Sequence, residues 1–143
     1  MAKVLVVEDD AAIAELLRMH FAERGHQVLV AQDGLAGPML AAREKPELVI
    51  LDFNMPAANG GKVLERLRGS TFTAATPVIF VTASPVAEIM SQVPDDPRVR
   101  FMQKPVDFAL LTRLTAELMG GAPAPAEPGA PPPPAADGPL SLD

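Results

Sequence analysis

The chain has no cysteine, no tryptophan and no tyrosine; its aromatics are six phenylalanines. Without cysteine, a disulfide framework and a thiolate metal site are both excluded, and the composition fits a reducing compartment. No apolar run approaches the roughly 20 residues that span a bilayer. The opening Met1-Ala2-Lys3 is followed only by Val4 to Val7 before Glu8 interrupts, too short a run for a signal-peptide core. Positive charge is scarce too: 12 Lys and Arg stand against 18 Asp and Glu, giving a net charge of −6. No basic cluster is present to meet a phosphate backbone, so direct nucleic-acid binding is not expected. The absences describe a soluble, cytoplasmic protein with no membrane insertion. With 143 residues, 48% of them apolar, the chain can build one well-cored domain.

Proline is plentiful but unevenly placed. Half of the 16 prolines lie between Gly121 and Asp143, including Pro131 to Pro134. That segment has almost no apolar bulk beyond Leu140 and Leu142, too little to offset the entropy of ordering. The expected organisation is a folded domain over 1–120 and a Pro-rich, disordered tail or linker over 121–143.

The first 120 residues alternate short apolar runs with helical patterns. Strands are expected at Lys3 to Val7, Gln27 to Ala31, Leu48 to Leu51, Val78 to Val81 and Val99 to Met102. Between and after them lie helices of about Ala11–Arg24, Gly34–Glu44, Gly60–Arg68, Pro85–Gln92 and Phe108–Met119. Ile13, Leu16, Leu17 and Phe21 form the apolar face of the first; Asp10 and Asp107 read as N-caps. Pro38 breaks the second pattern, so a kink or a late start is expected there. Five strands alternating with five helices predict an α/β fold, a doubly wound parallel sheet covered on both faces. In such sheets the functional crevice lies at the carboxyl ends of the strands, where strand order switches.

Polar residues gather at those ends. Glu8-Asp9 follow the first strand, Asp52 the third, Thr82 the fourth and Lys104 the fifth. Three carboxylates side by side repel; a pair 4 Å apart does so by about 4 kcal/mol at an effective dielectric near 20. Such a cluster serves to hold a hard cation, to share protons or to present a nucleophile. Oxygen-only ligands suit Mg²⁺. Each residue alone has a plainer reading. Glu8-Asp9-Asp10 suits the positive end of a helix dipole, Asp52 a turn, Thr82 a strand end and Lys104 the surface. Their joint placement favours the site.

In order, Val4-Leu5-Val6-Val7-Glu8-Asp9-Asp10, Leu51-Asp52-Phe53-Asn54-Met55-Pro56 with Gly60, Val81-Thr82-Ala83 and Phe101-Met102-Gln103-Lys104-Pro105 carry a resemblance. Residues 1–120 resemble the receiver domain of bacterial two-component response regulators, the chemotaxis type. The resemblance implies a flavodoxin-like sheet of five strands in the order 2-1-3-4-5. It implies Asp52 as acceptor of a phosphoryl group from a sensor histidine kinase or a histidine phosphotransfer protein. Mg²⁺ would be held by Asp9, Asp52 and the main-chain carbonyl of Asn54, with Glu8 acting through water. Lys104, the Thr82 hydroxyl and the Ala83 N–H would meet the phosphoryl oxygens. Thr82 and Phe101 would switch a downstream protein target. In this family the Lys104-Pro105 bond is typically cis. His20 and His26, without ligand-spaced partners, read as structural or solvent-facing.

The resulting expectation is a single-domain response regulator, a phospho-accepting switch with autodephosphorylation chemistry rather than a metabolic enzyme. One rival is the N-terminal receiver of a longer regulator. Another is an aspartyl-phosphate hydrolase, disfavoured because Asn54 stands where a general acid is usual. The third is a pseudo-receiver that only binds proteins, which the complete polar set argues against.

Overall fold

The computed structural model describes residues 2–55 and 58–119. Pro56 of the second motif and the Pro-rich segment lie outside the described residues. Elements alternate strictly along the chain: β1 (Lys3–Val7), α1 (Ala11–Glu23), β2 (Gln27–Ala31), α2 (Ala36–Glu44), β3 (Leu48–Asp52), α3 (Gly60–Arg68), β4 (Val78–Thr82), α4 (Val86–Met90), β5 (Val99–Gln103) and α5 (Phe108–Leu118). The strands form one parallel sheet in the order β2-β1-β3-β4-β5. This is the expected doubly wound α/β fold.

The two-residue period of the strands divides the core between the faces. Val4 and Val6 of β1, Leu48 and Ile50 of β3, and Ile79 and Val81 of β4 face one side, against Ala14, Leu17 and Phe21 of α1 and Leu111 and Leu114 of α5. Leu5, Val7, Val49, Leu51, Val78 and Phe80 face the other, against Ala41 of α2, Val63, Leu64 and Leu67 of α3, and Ile89 of α4. Because β1, β3 and β4 meet helices on both sides, their apolar runs are continuous rather than alternating. Each fully buried Val, Leu or Ile contributes up to roughly 1.5–3 kcal/mol.

Three strands run one residue further than the apolar pattern indicates. Asp52 still pairs with Val81, and Thr82 with Gln103. A polar side chain ends an apolar run but does not end a backbone ladder. The site residues Asp52 and Thr82 are therefore held by the sheet itself.

The helices depart from the pattern at Leu16 and in the length of α4, and α2 takes the late start expected at Pro38. Leu16 is 52% exposed, while Ala14 and His20 share the buried face with Leu17 and Phe21. At 100° per residue, 14, 17 and 21 align and 16 turns outward. α2 starts late, at Ala36, which puts Pro38 in the first turn, where no intrahelical N–H is needed. Asp33 Oδ1 accepts from the main chains of Leu35 and Ala36 at 2.8 Å each and heads the helix. α4 has only five residues and no side-chain cap, since Pro85 occupies its N-cap position. Asp10 and Asp107 cap α1 and α5 as expected.

Strand order reverses between β1 and β3. The chain leaves β1 for β2 on one side, then returns to lay β3 on the other, so the crevice opens beyond Val7 and Asp52.

Candidate functional site at the carboxyl end of the sheet

β1 delivers Glu8 and Asp9 to the crevice, β3 delivers Asp52, β4 delivers Thr82, and the turn after β5 delivers Lys104. Glu8, Asp52 and Thr82 are buried, whereas Asp9 is exposed. Glu8 is fixed at both ends. Its N–H donates to Ala31 O at 3.0 Å, and its Oε2 accepts from Asp10 N at 3.1 Å. Lys104 Nζ lies 3.2 Å from Glu8 Oε1 and 3.5 Å from Asp52 Oδ2. The Lys104 main-chain N–H donates to Thr82 O at 2.7 Å, and the Lys104-Pro105 peptide is cis. One turn thus ties the ammonium to the two strands that flank Asp52.

Electrostatics follow from crowding and burial. Burial, followed by the nearby Asp52, pushes the Glu8 carboxyl up to about 7 despite the Asp10 N–H and the Lys104 charge. Burial also raises Asp52, against the opposing pull of Lys104 and the Asn54 N–H. For Lys104, burial works against the charged form, but the Asp52 and Glu8 charges outweigh it and hold its pKa above the usual value.

One ammonium faces three carboxylates. Ligand oxygens of Glu8, Asp9 and Asp52 lie within 4.8 Å of one another. Glu8 Oε1 is buried, with the Lys104 ammonium 3.2 Å away. An all-oxygen set with surplus negative charge fits a hard divalent cation such as Mg²⁺ and offers nothing to a soft metal.

The remaining expected residues lie around this cluster. Asn54 N donates to Asp52 Oδ1 at 3.1 Å. Ala83 follows Thr82 on the exposed loop into α4. Phe101, half-buried on β5, stacks on Phe80 at 5.6 Å between ring centroids and 16° between planes. His20 and His26 stand apart from the cluster. His26 Nδ1 accepts from Ala2 N at 3.1 Å, and His20 is buried between Phe21 and Phe108.

Ser84 joins the site without having been singled out from the sequence. It takes a hydrogen bond from the Asn54 side chain at 3.0 Å. A hydroxyl two residues past a strand-end Thr was the available signal, but it carries no information without the partner loop.

Comparison with known proteins agrees with this architecture. Solved structures similar to the chain include the chemotaxis protein CheY4 of Vibrio cholerae, with a TM-score of 0.76 and 24% identity over 82% of this chain and 98% of that one. Another is the receiver domain of the sensor histidine kinase PA1611 of Pseudomonas aeruginosa, solved with magnesium coordinated in its active-site cleft. Its TM-score is 0.75 at 20% identity, over 84% of this chain and 98% of that one. At these identities they show the fold alone. Among curated relatives, the chain is 34% identical over 119 residues to the DNA-binding dual master transcriptional regulator RpaA of Synechocystis, covering 82% of this chain and 49% of RpaA. It is 32% identical over 121 residues to Protein PilH of Pseudomonas aeruginosa, covering 85% of this chain and 100% of PilH. The chain thus spans about half of the first relative and all of the second. The family described as "Response regulator receiver domain" matches residues 4–116. The chain therefore belongs to the response regulator receiver family, the signalling switches of two-component systems.

Proposed function

We propose that the protein accepts a phosphoryl group on Asp52 from a phosphohistidine of a sensor histidine kinase or a histidine phosphotransfer protein, and in that state switches a downstream protein. The observation that carries this reading is Lys104, 3.5 Å from a buried Asp52 that is itself within reach of two further carboxylates. A carboxylate oxygen of Asp52 attacks the phosphorus. The new P–O bond forms as the P–N bond to the imidazole breaks, and the imidazole leaves with the electron pair. Phosphoryl transfer asks little covalent help of a protein; it asks for alignment and cancellation of negative charge.

Asp9, Asp52 and the main-chain carbonyl of Asn54 are the residues that would hold Mg²⁺, with Glu8 acting through water. When bound, Mg²⁺ supplies positive charge against the carboxylates and the arriving phosphoryl oxygens. Lys104 supplies a further positive charge. The Thr82 hydroxyl and the Ala83 N–H donate to phosphoryl oxygens, and Phe101 moves inward as Thr82 turns. The magnesium in the PA1611 cleft supports the choice of ion.

We read the chain as a single-domain regulator because it matches PilH over that protein's full length. The match to half of RpaA supports a second reading, the receiver of a longer regulator. A hydrolase is disfavoured because Asn54 cannot serve as a general acid.

Intact mass after incubation with acetyl phosphate and Mg²⁺ tests the proposal. Wild type should gain one phosphoryl group and Asp52→Asn none. Equal uptake by both would remove Asp52 as acceptor.

A further inference from the structure

At the amino end of the sheet, away from the crevice, the carboxyl ends of α1 and α5 enclose a groove of about 250 Å³. His20 and Phe21 line it from α1, Ala116 from α5, and Met119 from the C-cap of α5. Its polar groups are of two kinds. Thr112 and Thr115 return their hydroxyl hydrogens to their own helix, to Phe108 O at 2.9 Å and to Leu111 O at 2.8 Å. Arg24 and His26 keep donors to spare. Arg24 commits one N–H, to His20 O at 3.1 Å, and a guanidinium has others. His26 Nδ1 accepts from Ala2 N at 3.1 Å, which leaves the hydrogen of the neutral ring on Nε2. Among the described residues no carboxylate pairs with either side chain. Their charge reaches into the groove: after burial, it is what lowers the His20 pKa to about 4.

The chain leaves α5 at this groove. Met119 lines it, and Gly120-Gly121 come next. Two glycines permit the reversal that brings the following residues back over the groove. Those residues are Ala122-Pro123-Ala124-Pro125-Ala126-Glu127. Alternating Ala and Pro favours polyproline II, a backbone that is set before it docks and needs no partner strand. Its small side chains suit a small groove with ring-bearing walls, the kind of surface on which Pro-rich segments dock. At about 3.1 Å per residue, Gly120 to Glu127 reaches up to about 25 Å, enough to cross the groove. The charges match as well. Residues 120–143 contain no Lys or Arg and three acids, Glu127, Asp137 and Asp143.

We propose that Ala122 to Glu127 docks across the mouth of the α1–α5 groove, with its prolines on Phe21, Ala116 and Met119 and the Glu127 carboxylate on Arg24 and His26. The docked segment clasps the end of α1 to the end of α5, two helices that pack on the same face of the sheet. A short tether supplies an effective concentration of about 1 mM, so a contact with Kd about 0.1 mM is closed about 90% of the time. A second copy has no such advantage, and two copies of net charge −6 repel each other.

The test is NMR on the full-length chain without phosphodonor or metal. Wild type should show cross-relaxation from Pro123 and Pro125 to the Phe21 ring and the Met119 methyl. The amides of Ala124, Ala126 and Glu127 should be as ordered as those of α5. Glu127→Lys changes a residue outside the folded domain, and Arg24→Glu reverses its partner. Each should weaken docking about tenfold, which takes the closed fraction from about 90% to about half. Combining the two restores an opposite-charge pair and should restore the contacts. Absence of every such contact in wild type would overturn the proposal. Contacts that survive both single variants undiminished would overturn the Glu127 pairing. Contacts that appear only between differently labelled copies in a mixed sample, and fade on dilution, would assign the groove to a second copy and overturn docking within the chain.

Discussion

Lys104 Nζ lies 3.2 Å from Glu8 Oε1, a carboxylate that is 1% exposed. The same ammonium reaches Asp52 at 3.5 Å, and no other cation pairs with either carboxylate among the described residues. One charge stabilises two buried acids, which are also the acids that repel each other. Removing the cation and removing one of the acids must then act in opposite directions on the metal-free fold. Lys104→Met should lower unfolding free energy at neutral pH by about 1–3 kcal/mol, because it leaves buried charge uncompensated. Asp52→Asn should raise it by about 1 kcal/mol by relieving repulsion and desolvation. Urea denaturation of the metal-free proteins measures both; two changes of the same sign would refute this account.

The second prediction concerns the metal. A ligand that binds only the folded state stabilises it by RT ln(1 + [L]/Kd). Mg²⁺ should therefore raise the Tm of wild type with increasing concentration. Asp9 is an exposed member of the acidic cluster, so Asp9→Ala should leave the fold intact and remove most of that rise. A variant whose Tm climbs with Mg²⁺ as steeply as wild type would exclude Asp9 as a ligand.

Much of this site is legible in the sequence, for a physical reason. A parallel sheet buried on both faces makes each strand a bare apolar run, so the first polar residue after it, at Glu8, Asp52 or Thr82, announces the functional end. What stays hidden depends on contacts between distant loops. The Asn54 amide is an ordinary loop side chain until β4 brings Ser84 within 3.0 Å. Leu16 scores as core on apolarity alone, although its azimuth turns it to solvent. α4 reads as longer than its five residues because Pro85 and Pro94 bound the pattern without saying where hydrogen bonding stops. Arg68 is similar: it bonds Thr76 O at 2.7 Å and Asp96 Oδ2 at 3.0 Å, pinning the segment before β5, and nothing local predicts it.

Two glycines make a paired prediction. A Cβ on Gly60 would stand 2.7 Å from Phe53 Cα and 2.7 Å from Phe80 Cε1, while Gly60 N donates to Phe53 O at 2.7 Å. Backbone cannot yield as a flexible side chain does. Gly60→Ala should cost about 2–3 kcal/mol and displace the turn behind Asp52. Gly25 has φ +88° with open space around it, so Gly25→Ala pays only backbone strain, about 1 kcal/mol. Chemical denaturation ranks the two; a milder loss at Gly60 than at Gly25 would contradict the close approach.

The last prediction concerns pH and rests on His20. Its ring meets Phe21 and Phe108 with centroids 5.0 Å from each. Thr112 Oγ1 lies 3.4 Å from His20 Nε2 and itself donates to Phe108 O at 2.9 Å. With its proton committed to Phe108 O, Thr112 can only accept from the ring, which assigns the hydrogen to Nε2 of neutral imidazole. Burial, then the charges of Arg24 and His26, lowers the His20 pKa from 6.5 to about 4. The unfolded chain therefore takes up a proton that the folded protein refuses between those values. The stabilisation is fully present above about pH 6.5, is lost as pH falls toward 4, and changes no further below that. At about 1.4 kcal/mol per pH unit the full shift would correspond to about 3 kcal/mol. Solvent in the cavity of about 250 Å³ beside the ring reduces the expected loss to about 1–2 kcal/mol. His20→Gln keeps an N–H donor without the titration, so wild type should lose that much stability relative to the variant between pH 7 and 4.5. The difference between the two denaturation curves isolates His20 from the acids that titrate in both proteins. A difference that stays constant across that range would show that the ring accepts its proton without disturbing the α1–α5 contact.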